Sequence, residues 1–395
     1  MTILHIVSSI DPALGGVSQV IRDNVPALQK MGVVCEVLSF DDPSASFLSE
    51  DTFNVHAIGP AKGPYAFVSG LQTWLTANMS RYDVLIIHGL WLYNAYGTFN
   101  VWNKKAYSSQ EKSPKLFVMP HGMLDPYFQK AEGRKLKALR NTVFWKLFEH
   151  KTVNGCDGLL FTCEEEKLLA RQPFKPYHPK RELNVGLGTT PPPPADPSFI
   201  TSFISAYPKL ANKKYWLFLS RIHPKKGVDL LLRGYKKLLT EDENIPNLVV
   251  AGPGLETEYG KAMTALASHP KIHFPGMLSG HKKWGAFYGC EAFVLPSHQE
   301  NFGIAVAEAM ACKKPVLISN QVNIWREIKE GGGGLVQADT KEGTLSLLKA
   351  FQELSENEKE QMSEKAYLTY KHHFSIEMAA QKMLEQLNLV LENKA

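Results

Sequence analysis

At 395 residues the chain is too long for one hydrophobic core and suggests two domains of ordinary size. It is 44% hydrophobic and 21% charged, an ordinary globular balance. The formal charge of +5 is mild and gives no argument for nucleic acid as a partner.

The opening MTILHIVSS has no charged region before its apolar run and no small-residue cleavage site. It reads as a buried strand, Ile3 to Val7, rather than a signal peptide. Gly16 to Met31 follows as a helix with Val17, Val20, Ile21, Val25 and Leu28 on its apolar face, and Val33 to Phe40 as a strand. Further strands are expected at Tyr82 to His88, Leu116 to Met119 and Gly158 to Thr162, the last leading into an acidic helix start at Cys163 to Glu166. The run Pro191-Pro192-Pro193-Pro194-Ala195-Asp196-Pro197 cannot join a sheet centre and reads as a stiff joint. The pattern then restarts, with strands at Tyr215 to Ser220, Asn247 to Ala251, Ile272 to Pro275, Ala292 to Leu295 and Pro315 to Ser319. Helices are expected over Gly227 to Thr240, Gly303 to Cys312, 341–354, 357–372 and from Ser375 onward. Strands alternating with helices predict an α/β chain with parallel sheets. The expected domains are 1–190, a linker over 191–212, 213–372, and a C-terminal helix over 373–395. Two such halves predict a cleft between domains, with ligands outside the carboxyl ends of the strands.

Cysteines 35, 156, 163, 290 and 312 show no paired metal spacing and read as buried thiols of a reducing compartment. No apolar run approaches the roughly 18–20 residues that span a bilayer. A cytoplasmic protein is expected, with contact at the inner face of the membrane left open.

Polar groups fall at several strand ends. Glu300 stands just before a helix N-terminus and Glu308 inside that helix, so phosphate-seeking amides and hydroxyl-accepting carboxylates share one strand–loop–helix unit. Arg221 and Lys226 flank the first helix start of the second half, as neutralisation of a diphosphate leaving group requires. Lys225 can exchange roles with Lys226 on this reading. Gly252-Pro253-Gly254 allows close backbone approach to a ligand, and Gly15-Gly16 opens a helix toward a phosphate, without the Gly-x-Gly-x-x-Gly spacing of a dinucleotide site. His121 and His88 lie at strand ends, where an imidazole can donate to a sugar hydroxyl or shuttle a proton. For His88 a capping or buried, satisfied histidine is the favoured reading. Trp91 is a candidate sugar platform or an apolar wall, and Asp125 a further candidate on the acceptor side. No Asp-x-Asp occurs, so the short acidic motif that holds a metal on a nucleotide diphosphate is missing.

Ser220-Arg221-Ile222-His223-Pro224-Lys225-Lys226-Gly227, the Glu300–Glu308 pair around Asn301-Phe302-Gly303, Pro120-His121-Gly122 and Gly15-Gly16 occur together and in order. On these motifs the chain resembles the retaining family 4 glycosyltransferases of GT-B fold over essentially its whole length. The resemblance implies two Rossmann-like domains facing each other across a cleft, an N-terminal acceptor domain, a C-terminal nucleotide-sugar domain, and a last helix crossing back to the first. It gives Glu308 the ribose hydroxyls, Glu300 the hydroxyls of the donor sugar, Arg221 and Lys226 the diphosphate, and His121 a place near the donor sugar. It likewise makes Asn301, Phe302, Gly303 and Ile304 a backbone cradle, Gly16 a tight loop at the diphosphate, and Met277 and Leu278, after Gly276, the edge that receives the base. Gly254 joins this donor set.

The implied reaction retains anomeric configuration by front-face attack, without metal or cofactor, and moves a hexose from UDP-glucose, or second from GDP-mannose. The acceptor is a saccharide or lipid-linked saccharide, in bacterial-type polysaccharide or glycolipid assembly. Asn184-Val185-Gly186-Leu187-Gly188 departs from the family's usual Asn-Gly-x-Asp turn. Between 130 and 151, Lys130, Arg134, Lys135, Lys137, Arg140, Lys146 and Lys151 lie among Leu136, Leu139, Val143, Phe144, Trp145, Leu147 and Phe148. This segment is either a solvated helix face over the core or a basic amphipathic helix for an anionic membrane. A sugar-nucleotide epimerase and a two-domain carbohydrate-binding protein are the rival readings.

Overall fold

The computed structural model describes residues 1–108, 113–131 and 133–392. Residue 132, within the basic segment, and residues 393–395, at the end of the last expected helix, lie outside the described residues. Residues 1–188 and 376–395 form one compact unit and residues 189–375 a second.

The first unit is built on a seven-stranded sheet of β1 (Thr2–Val7), β2 (Val34–Ser39), β3 (Asn54–Ala57), β4 (Val84–His88), β5 (Lys115–Met119), β6 (Gly158–Phe161) and β7 (Glu182–Asn184). The order is β3-β2-β1-β4-β5-β6-β7 and the pairs are parallel. β4 and β6 are buried at every residue, which is why they read as unbroken apolar runs. The second unit repeats the plan with β8 (Tyr215–Leu219), β9 (Asn247–Ala251), β10 (Ile272–Gly276), β11 (Ala292–Leu295), β12 (Val316–Ser319) and β13 (Gly334–Gln337), in the parallel order β10-β9-β8-β11-β12-β13. In each sheet the order reverses beside the first strand, between β1 and β4 and between β8 and β11. Open α/β sheets bind ligands at the carboxyl ends of such a pair.

The stiff linker expected over 191–212 gives way to a helix, Pro197–Ala206, folded into the second unit. Asp196 caps it, accepting the Ser198 amide at 2.7 Å, and Pro197 fills a first-turn position where no amide is required. Phe199 and Phe203 bury one face against the helix Gly280–Gly289. The two helices meet so closely that a Cβ at Gly285 would stand 2.1 Å from the Phe199 carbonyl oxygen. The C-terminal helix, Ile376–Glu392, belongs to the first unit, where it packs on the helix Val17–Lys30.

One ionisable group lies deep in the first unit. Glu149, fully buried, ends a π-turn over Trp145–Glu149 and accepts the Trp91 amide at 2.9 Å. Its second carboxylate oxygen meets no donor. Burial pushes its carboxyl up to about 8, the Trp91 amide pulling the other way.

Two outcomes follow. Gly285→Ala forces the two helices apart and lowers the unfolding free energy by about 1–3 kcal/mol in urea titration; a change within error would mean the contact is slack. Because the folded value for Glu149 exceeds the ordinary 4.5, the folded state keeps a proton that the unfolded chain releases, and stability falls as pH rises from there to about 8. Glu149→Gln keeps the acceptor for Trp91 and cannot ionise. Its unfolding free energy in urea should match wild type near pH 4.5 and exceed it at pH 8.5 by on the order of 2–4 kcal/mol. A pH-independent difference would show that Glu149 does not titrate in this window.

Candidate functional site

In the second unit the turns after β8 and β11 converge. Beyond β8 the chain runs through Ser220–Arg221 to a short turn, Pro224–Lys226, where the His223 ring nitrogen Nδ1 accepts the Lys225 amide at 3.1 Å. Gly227 follows at φ +66°, and a Cβ there would stand 2.0 Å from the Pro296 carbonyl oxygen. Glycine is therefore required twice, for its backbone region and for the approach of the β11 turn. That approach lets the His298 amide donate to the Lys225 carbonyl at 2.9 Å. It also brings the Lys226 ammonium onto the Glu300 carboxylate, with Lys226 only 8% exposed. Lys226, not Lys225, is thus the lysine paired with Glu300. Arg221 stays exposed and makes no hydrogen bond or ion pair among the described residues.

The Glu300 backbone is fixed on both sides: its amide donates to the Gln321 carbonyl and its carbonyl accepts the Asn323 amide, each at 2.9 Å. Asn301 Oδ1 lies 3.5 Å from Asn323 Nδ2, and Phe302 is buried against the Phe374 ring. Gly303, at φ +78°, turns the chain into the helix Ile304–Ala311, which has no side-chain cap and whose Val306 amide donates back to the Gly303 carbonyl at 2.8 Å. Glu308, one turn in, accepts Lys283 Nζ at 2.6 Å. Burial raises its carboxyl pKa, while Lys283 works against that rise. After β10, Met277 is 73% exposed and Leu278 is buried.

The Gly252–Gly254 turn makes a close approach within its own unit. A Cβ at Gly252 would lie 1.8 Å from the Ser220 carbonyl oxygen, and one at Gly254, 2.8 Å from that of Ile222. The close approach is to the β8 turn of the same unit, so the glycines give the arginine-bearing loop its seat; no ligand is required to explain them.

In the first unit Gly15 and Gly16 have φ of +63° and +43°, with open space where a Cβ would be. A cavity of about 170 Å³ at the carboxyl ends of β1 and β4 is lined by Ser8, Gly15, Ser18, His88, Asn94 and Met123, among others. His88 does not offer a free nitrogen to a sugar hydroxyl, as one reading expected. His5 Nδ1 lies 2.9 Å from His88 Nε2, and His88 Nδ1 lies 2.9 Å from His121 Nε2. The rings stack pairwise with centroids 5.2 Å apart, and burial depresses the pKa of each, to about 4 for His5 and His121 and well below normal for His88.

His121 holds φ +52°, and the next amide, of Gly122, donates to Glu166 Oε1 at 2.5 Å. The other Glu166 oxygen accepts the Thr162 amide and hydroxyl at 2.7 and 2.6 Å. Asp125 is buried, and its Oδ1 accepts the Tyr127 amide at 2.8 Å, a capping role rather than an open acceptor. Trp91, at φ +73°, rests on the Phe174 ring at 5.3 Å as part of the wall of the core.

Sequence reasoning missed His5, which reads as one more residue of a strand; Glu166, hidden in an acidic helix start; and Lys283, on a helix whose mixed sequence carries no strong period. It also missed the ion pair of His298 with Asp339, at 2.9 Å, in which the carboxylate raises the imidazole pKa. No group of three or more His, Cys, Asp or Glu among the described residues is arranged to hold a metal ion.

Residues 15–183 match the family model of the glycosyl transferase 4-like domain, and residues 200–369 that of glycosyl transferases group 1. The lipopolysaccharide 1,2-N-acetylglucosaminetransferase of Salmonella typhimurium is 29% identical over 179 residues, 43% of this chain and 47% of that protein. Matches to the first curated relatives span about a third to a half of their length. Among solved structures, a glycosyltransferase from Rickettsia africae aligns over 100% of this chain and 99% of its own with a TM-score of 0.76 at 16% identity. Anabaena HepE, in complex with UDP and glucose, aligns over 98% of this chain and 100% of its own with a TM-score of 0.70 at 17% identity. These likenesses show the fold. The relatives named are glycosyltransferases, which goes against the epimerase alternative. With both domain models matched in order on two parallel Rossmann-like sheets, the chain belongs to the family 4 glycosyltransferases of GT-B fold.

Proposed function

We propose that the chain is a retaining, metal-independent hexosyltransferase that moves a hexose from a nucleotide diphosphate sugar to a saccharide or lipid-linked saccharide. One observation carries this reading: Lys226 is held on Glu300 at the β8/β11 switch point, while Arg221, on the same loop as Lys226, has no hydrogen-bond or ion-pair partner among the described residues. Arg221 is thus open to a diphosphate, Lys226 can turn to it from Glu300, and that carboxylate is suited to hydroxyls, with Glu308 one turn inside the following helix. UDP-glucose is the first choice of donor and GDP-mannose the second; the complex of Anabaena HepE with UDP and glucose supports that order.

In the reaction the acceptor hydroxyl oxygen bonds to the anomeric carbon on the face from which the diphosphate departs. The carbon–oxygen bond to the β-phosphate breaks, its electron pair stays on that oxygen, and the hydroxyl proton moves there too. Arg221 and Lys226 neutralise the charge as it grows, so the barrier falls by electrostatics rather than by a protein base. Glu300 grips the donor sugar, Glu308 the ribose, and His121 serves the donor sugar.

The basic segment supports a lipid-linked acceptor. Leu136, Leu139, Val143 and Leu147, at helical spacing, are 84%, 63%, 46% and 53% exposed, while Trp145 is buried. Lys135, Lys137, Arg140, Lys146 and Lys151 are exposed around them. An exposed apolar stripe framed by cations suits an anionic lipid surface, on which such a helix lies without crossing. No described helix is long and apolar enough to cross a membrane. The other expectation, a solvated face over the core, is met by the same exposed residues, and vesicle binding separates the two.

Arg221→Ala should lower kcat about 10²–10³-fold with the melting temperature unchanged, since the side chain is exposed. Lys226→Ala should lower both, because it strands the Glu300 carboxylate. Glu308→Ala should act mainly on donor KM. Wild-type turnover in both Arg221→Ala and Glu300→Ala would sink the assignment, and NMR of the product tests retention. At low salt the protein should float with phosphatidylserine vesicles, and Leu136→Glu with Leu139→Glu should abolish this. Flotation equal on neutral and anionic vesicles would count against the basic frame.

A further inference from the structure

The three stacked histidines of the first unit are not needed for packing, since apolar side chains would fill the same space without cost to a polar group. They form one hydrogen-bonded row, His5–His88–His121, running from the middle of β1 through the end of β4 to the turn after β5. His5 and His88 are 1% and 3% exposed, whereas His121 is partly exposed, so the row has a closed end and an open end.

A row of neutral imidazoles has only two proton arrangements. His88 uses both ring nitrogens, so one must donate and the other accept. In the first arrangement His5 Nδ1–H donates to His88 Nε2, His88 Nδ1–H donates to His121 Nε2, and the His121 proton is left on Nδ1. In the second every proton is reversed, and His121 Nδ1 is bare. The closed end decides between them. His5 Nε2 is buried with no partner. The first arrangement leaves a lone pair there; the second buries an orphaned N–H, which folded proteins tolerate least. The backbone is held at the middle of the row and at its open end as well. Asn94 Nδ2 donates to the His88 carbonyl at 2.9 Å, and Glu166 fastens the Gly122 amide beside His121.

We propose that His5 and His88 are positioning residues that lock His121 in the tautomer with its proton on Nδ1, making it a fixed hydrogen-bond donor at the open end of the row. Resting on the reading that His121 serves the donor sugar, this makes it a donor toward a sugar hydroxyl oxygen. The direction of the bond is set in β1, at a residue that touches no substrate. A site already in the right tautomer spends no energy choosing it when the sugar arrives, which is the advantage of a preorganised donor.

Long-range ¹H–¹⁵N correlation spectra of the histidine-labelled full chain read each imidazole tautomer directly, with His121→Gln and His88→Gln used to assign the signals. The wild type should show His121 protonated on Nδ1 and bare at Nε2. His5→Leu removes the first donor and should give a mixture of His121 tautomers, with kcat lowered about tenfold, the factor one ordinary hydrogen bond carries, and donor KM changed far less. His5→Asn, whose amide can donate where His5 Nδ1 does, should restore the single tautomer and most of kcat.

A wild-type spectrum with the His121 proton on Nε2 overturns the proposal, and so does a folded His5→Leu protein with an unchanged tautomer. Should His5→Leu not fold, the wild-type spectrum alone still decides. The underlying reading fails separately: wild-type transfer by His121→Gln would remove His121 from the reaction whatever its tautomer.

Discussion

An ammonium and a carboxylate withdrawn from water cost more than their attraction returns unless the geometry is held for them. Lys226 and Glu300 meet that condition because neither loop is free to move. Gly227 admits the Pro296 carbonyl where any side chain would collide, Gly252 and Gly254 admit the Ser220–Ile222 strand end, and Gln321 and Asn323 hold the Glu300 backbone from the other side. Five backbone contacts thus fix the two loops that carry one ion pair. The exposed Arg221 lies on one of these loops, and the partly buried Glu308 on the helix that follows the other.

Both units obtain their functional ends from the same topology. A parallel sheet whose order reverses beside its first strand leaves a gap between two departing loops, and the chain fills it with whatever chemistry the loops carry. In the second unit those loops carry an arginine, a lysine and a carboxylate. In the first they carry glycines and, beneath them, imidazoles. Burial acts in opposite senses on the titratable groups, pushing Glu149 and Glu308 up and the three histidines down. All of them are thereby biased toward their neutral forms, and hydrogen-bond direction matters more than charge in the first unit.

The central strands were legible because burial on both faces writes an apolar run, as at Val84–His88 and Ala292–Leu295. The edges were not. β3, reading Asn-Val-His-Ala, and β13, following a glycine run, are short and only partly buried, so composition says little about them. The helix at Pro197–Ala206 was masked by the prolines before it, although Asp196-Pro197 is itself a helix-start signal. Site residues at strand ends could be read from their position after an apolar run. The partners Lys283, Glu166 and His5 could not, because what defines each is a contact 25, 44 or 83 residues away along the chain.

The first unit is discontinuous: residues 1–188 wait for the helix Ile376–Glu392, while 189–375 is one unbroken stretch. During synthesis the second unit therefore emerges whole while the first still lacks the element that covers its helix Val17–Lys30. Met383, Leu387 and Val390, buried on that helix in the folded unit, are made only after all of residues 189–375. The seven-stranded sheet thus has all its strands before it has the helix that completes its unit, and residues 189–375 are free to fold in the interval.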